Sequence, residues 1–186
     1  MTSEIESYRD QLLSIKQDLP GIINHLTDAQ FNWRSAPDRW SIAQCVDHLN
    51  LTVARFVPAF DTAIAEAKQK GWLSAGPFSY PLLERLFVGS QEPPPRMRMR
   101  AFKAIIPPTT LSRNDVIARF IDWQEQIDVR LLQADGVDLR RAKHRSPVMP
   151  IFTWRLGTLF ALTLAHERRH LWQARQVRVH PQFPEA

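Results

Sequence analysis

The sequence predicts an all-α protein, a four-helix bundle, on three observations. Four segments repeat apolar residues at helical spacing, capping residues mark the starts of the clearest ones, and no segment of period two rivals them in length. At 186 residues and 44% hydrophobic, the chain is long enough to bury a substantial core, and residues 1–186 are read as a single domain.

The first helix opens at Ser3, with Glu6 placed to complete a capping box, and sets Ile5, Tyr8, Leu12, Ile15 and Leu19 on one face. Pro20 kinks or ends it. The following stretch, TDAQFNWRSAPDRW, reads as a connection of turns, because Pro37 and its Thr, Asp and Ser residues favour local side-chain bonds over helix. The second helix has the clearest start: Ser41 as N-cap, Gln44 three residues on to answer it, and Trp40 before the cap, able to staple onto Cys45. Ile42, Cys45, Leu49, Val53, Phe56 and Phe60 extend its apolar face towards Gly71, with Pro58 expected to bend it.

From Gly71 to Leu111 the chain is rich in proline, with a short amphipathic helix expected at PLLERLFVG. This crossover of about 40 residues frees the second and third helices from lying antiparallel. The third helix starts near Ser112, follows Val116, Phe120, Trp123, Ile127 and Leu131, and stops at DGVD, where Gly136 suits a helix C-terminus. The fourth begins after Pro150 and runs to about Val177, with Leu159, Leu162, His166, His170, Gln173 and Val177 along one stripe.

Composition narrows the function. The amino terminus MTSEIESYRD lacks the basic residues and apolar run of a secretory signal, and no uninterrupted apolar stretch is long enough to span a bilayer, so the expectation is a soluble cytoplasmic protein without membrane contact. Cys45 is the only cysteine, which excludes an internal disulfide. The net charge of +5 is a mild bias. Its basic residues gather in RMRMRAFK from Arg96 and RRAKHR from Arg140; no aromatic residues alternate with them as a base-stacking platform would need, so both read as solvated loops and no nucleic-acid partner is expected.

The chemistry-bearing motif is LAHERRH. Six histidines in this length give about 0.2 pairs at a spacing of four by chance, and requiring Glu after the first lowers that to roughly 0.01. His166 and His170 share a helix face, so both imidazoles can reach one ion, and neutral imidazole suits zinc, nickel and ferrous iron. An open site usually has three protein ligands. His48 is the best third, since it interrupts an apolar face where an unpaired imidazole is costly to bury. His25, His144 and His180 lie near turns or in the tail. HERRH also satisfies the zincin peptidase pattern, but Gln176 stands where a metzincin needs its third histidine, and Glu185 is the sole acid after His170. A peptidase is disfavoured.

RWSIAQCVDHLN and LAHERRHLWQARQV, with NWRSAPDRWS and the DGVDL turn, are similar to motifs of the DinB-like superfamily, bacterial metal-binding four-helix bundles. That resemblance implies up-down-down-up topology, frequent homodimers, and one divalent ion held by His48, His166 and His170. It also implies a class of activity, since some members join bacillithiol, mycothiol or a similar small thiol to an electrophile. The expected function is therefore a metal-dependent thiol transferase; a metal-binding stress module without turnover is the alternative. Glu167 either takes the thiol proton or orients a ligand, or is a packing carboxylate among arginines. Gln173 could bond an imidazole or substrate, or serve as a capping or interface residue. Cys45 could approach the ion as a fourth ligand, but core packing is favoured. Arg168 and Arg169 are expected to project into solvent or a dimer contact, and Trp123, Trp154 and Trp172 to lie in the core or an interface.

Overall fold

The structure, a computed structural model, describes residues 1–95 and 101–185. Of the basic run that begins at Arg96, residues 96–100 lie outside the described residues. The helices are α1 (Ser3–Ile23), α2 (Asp28–Asn32), α3 (Ile42–Gln69), α4 (Leu82–Gln91), α5 (Arg113–Gln133) and α6 (Leu156–Arg178). Two three-residue strands, β1 (Lys143–Arg145) and β2 (Thr153–Arg155), pair antiparallel between α5 and α6.

The long helices α1, α3, α5 and α6 enclose the core. Along α3 and α5 the pairs Asp47–Arg119 (2.9 Å) and Asp61–Arg130 (3.0 Å) advance together, so those helices run in the same sense. Tyr8 bonding to the Gly157 carbonyl and Asp18 to Arg175 give α1 and α6 a common sense. Arg9–Asp128 and Lys16–Glu125 run α1 against α5. The exposed ends of these pairs make them markers of arrangement more than sources of stability, which comes from the apolar face each helix buries.

Every residue placed on the α1 face is buried. The expected Ser3–Glu6 box is absent: Ser3 is already helical, and the N-cap Thr2 makes no side-chain cap bond. Pro20 does not end the helix, which continues to Ile23 and buries Ile22 and Ile23. Burying two such side chains offsets the roughly 3 kcal/mol that an interior proline costs. The segment expected to be only turns contains α2, started by a capping box in which Gln30 N donates to Thr27 Oγ1 (3.2 Å) and Thr27 N to Gln30 Oε1 (2.9 Å). Phe31 anchors it in the core.

The capping box of α3 forms as expected: Gln44 N donates to Ser41 Oγ (3.1 Å) and Ser41 N to Gln44 Oε1 (3.2 Å). Helix α5 starts from the N-cap Ser112 and gives way to Gly136 at φ 77°, a left-handed conformation suited to glycine. The β1–β2 hairpin was not expected, because strands this short leave no periodic signal.

The crossover is fastened along α6. Its Tyr80 hydroxyl donates to Glu4 (2.5 Å), and an added Cβ on Gly157 would lie 1.9 Å from that hydroxyl, so the close passage requires glycine. Glu84 on α4 accepts from Arg155 and Thr158 at the start of α6. Further along, Arg168 Nε donates to Glu92 (2.9 Å) and Arg169 to the Ser90 carbonyl (3.2 Å). Arg168 and Arg169 were expected in solvent or a dimer contact; both instead make intramolecular bonds, and Arg169 is buried. Trp154 is buried and stacks on Phe87 and Phe152, tying the hairpin to α4, while Trp123 packs half-buried against the core.

Ser41 is wholly buried, so its truncation leaves a helix donor unanswered. Ser41→Ala should cost about 1 kcal/mol and lower the thermal midpoint by about 2–4 °C, read by circular dichroism.

Candidate metal centre

His48 stands two turns into α3, held there by the Ser41 cap and by the burial of Cys45 and Leu49 beside it. Its Nδ1–H donates to the Ile105 carbonyl at 2.7 Å, which leaves Nε2 with a free lone pair. Ile105 belongs to a 3-10 turn, Lys103–Ile105, of the crossover. This outer partner had no signal in the sequence, since a backbone carbonyl orients an imidazole whatever side chain it carries.

His166 and His170 come from α6, and their ring centroids lie 5.1 and 4.5 Å from that of His48. The Nε2 atoms of His48 and His166 face each other at 3.0 Å. Metal–nitrogen bonds of about 2.0–2.1 Å place neighbouring donor nitrogens about 3 Å apart, so the observed separation fits a shared ion. One ligand atom from each of the three histidines lies within 4.8 Å of the others. Trp40 closes one side, its ring 4.8 Å from His48 and 5.7 Å from His170. Trp40 also packs half-buried against the hydrophobic core.

Burial is uneven. His48 and His170 are 2% and 8% exposed, whereas His166 is half-buried and the most exposed of the three. All three imidazoles are pushed below their ordinary pKa, first by burial; the other rings and the Arg169 guanidinium add to this at His166 and His170. Neutral imidazoles are the form that coordinates a cation. Nδ1 of His170 is buried with no hydrogen-bond partner, a deficit that one bond to an ion or its ligand would repair. Gln173 is half-buried one turn on, and its side chain partly offsets the lowering at His170. The donor set and the unanswered nitrogen both suit a divalent cation.

The other candidate residues lie elsewhere. Cys45 is fully buried in the core, its thiol pushed far up by burial, and it does not join the ligand group. His25, His144 and His180 are likewise outside it. Glu167 faces α5: it is 0% exposed, and its Oε1 accepts from Gln124 Nε2 at 2.8 Å. Its Oε2 and the Gln124 Oε1 are both buried without partners. Burial raises the Glu167 carboxyl to about 7, with the Gln124 hydrogen bond and the Arg168 charge partly opposing it. Glu167 thus packs against Gln124 of α5, with the Arg168 charge acting on its carboxyl.

The sequence model of the DinB superfamily matches residues 11–174, which includes all three histidines. The curated proteins and the solved structures compared with the chain give no match.

Because the folded Glu167 carboxyl is raised from 4.5 to about 7, the folded state holds the extra proton between those values, and its stabilising effect is lost as pH rises through about 7. Glu167→Gln keeps the shape of the side chain and removes its ionisation at this buried position. It should match the wild type near pH 4 and exceed its stability at pH 8 by about 1–3 kcal/mol, as thermal melts at the two pH values would read.

Proposed function

The chain belongs to the DinB superfamily, and from that premise we propose that His48, His166 and His170 hold one divalent ion used to transfer a low-molecular-weight thiol to an electrophilic carbon. The convergence of three imidazoles, of which His166 is the most exposed, carries this reading. Zinc, nickel or ferrous iron on such a donor set supplies Lewis acidity sufficient to bring a thiol's pKa near neutrality.

The chain's own residues do the rest. His48, fixed by the Ile105 carbonyl, presents Nε2 in one orientation, and Trp40 excludes water from its flank. The Arg169 guanidinium, close enough to depress His166 and His170, favours an anionic sulfur. Cys45 offers no competing nucleophile, because burial keeps its thiol protonated. Glu167 is turned to Gln124, so the thiol proton leaves through the solvent side of His166. The substrate sulfur then forms its bond to carbon as the leaving group departs with the electron pair. A cytoplasmic site, where small thiols stay reduced, and a homodimer belong to the same reading; the exposed Leu82, Leu83 and Leu86 of α4 offer an apolar face for the second copy. The near-complete burial of His48 and His170 favours one other reading, a metal-holding module without turnover.

Elemental analysis of freshly purified protein should find about one divalent ion per chain, lost in His170→Ala while helical circular dichroism persists. Metal-loaded protein is then mixed with monochlorobimane and bacillithiol, mycothiol, glutathione or cysteine. Acceleration with one thiol that drops about 100-fold or more in His48→Ala supports the transferase. Stoichiometric metal without acceleration assigns the module, and wild-type protein without metal refutes both.

A further inference from the structure

The second basic segment, RRAKHR from Arg140, is folded into a specific place. Arg140 and Arg141 follow α5, Lys143 lies in β1, and Arg155 ends β2 as the N-cap of α6. With Asp138 they line a concavity of about 310 Å³. Arg155 precedes His166 by roughly 16 Å along the helix axis, so this concavity is separate from the histidine cluster.

Several observations mark it as unfinished. Lys143 and Arg155 are direct cross-strand partners, and like charges in that position destabilise a sheet. Among the described residues neither Arg140 nor Lys143 makes a side-chain hydrogen bond or ion pair. Arg155 Nε is buried and unpartnered, although its Nη1 reaches Glu84. The nearby acids are already occupied: Asp138 Oδ1 accepts the backbone N–H groups of Arg140 (3.1 Å) and Arg141 (2.9 Å), and Glu84 also accepts from Thr158. Arg141 is held over the Trp72 ring at 4.7 Å, which pre-sets one wall.

We propose that this concavity binds the phosphoryl group of a small phosphorylated molecule, with Arg140, Lys143 and Arg155 as its donors and Arg141 as a positioned flank. Four cations against the lining Asp138, with Arg155 also paired to Glu84, leave an excess of positive charge that matches a dianion, and guanidinium groups offer phosphate the paired N–H donors that such recognition uses. A volume at the lower end of small-molecule sites suits a phosphoryl group with a modest remainder. An anion there also relieves the Lys143–Arg155 repulsion, so binding and hairpin stability rise together.

Calorimetric titration of the full chain with inorganic phosphate, at ionic strength fixed with sodium chloride, tests this. Lys143→Glu and Arg140→Gln accompany the wild type, and Lys68→Gln, an exposed site on α3, is the control. Saturable binding to wild type and Lys68→Gln, about tenfold or more weaker in Lys143→Glu, is expected, with metal content equal in all four proteins. Absence of saturation, or equal affinity in Lys143→Glu, overturns the site. Much tighter binding of a single-stranded oligonucleotide, with a steep salt dependence, also overturns it by reassigning the cations to nucleic-acid phosphates.

Discussion

Three imidazoles converge on one point, two of them buried and the third half-buried, and the surrounding structure accommodates that constraint. Removing a ring from water lowers its pKa, and placing others beside it lowers it again, so the cluster favours neutral rings whose polar edges need partners. The Ile105 carbonyl supplies one at His48. His48 and His166 face each other, while one edge of His170 stays unanswered. A bundle built only for packing would place leucines here, as it does at Leu49 and Leu171 on the same two helices.

Much of this was legible because its signals are local. A buried serine cap and its glutamine partner start α3 where the sequence places them, and the spacing of His166 and His170 fixes their common face. The third histidine could be chosen because an imidazole on an otherwise apolar face is anomalous. Resemblance to a known family sharpened that choice, and the superfamily match spans the same histidines.

What stayed hidden depends on contacts between distant residues. Pro20 reads as a stop, yet the core beneath Ile22 and Ile23 overrides it. Arg168 and Arg169 read as solvated charge because nothing in the sequence shows that Glu92 and Ser90 return along α6 to meet them. Glu167, next to a ligand candidate, invites a chemical role; the rotation of about 100° per residue on a helix instead turns it to Gln124 on α5. The orienting carbonyl of Ile105 lies near the far end of a proline-rich crossover, beyond the reach of any periodic pattern.

That carbonyl joins two parts of the molecule that otherwise have separate tasks. The crossover holds one nitrogen of His48, while the opposite nitrogen points into the cluster. By thermodynamic reciprocity, any free energy that the Ile105 contact lends to occupancy of the inner nitrogen is returned by that occupancy to the contact. A substitution that shifts the Lys103–Ile105 turn therefore reaches the cluster with its three histidines intact.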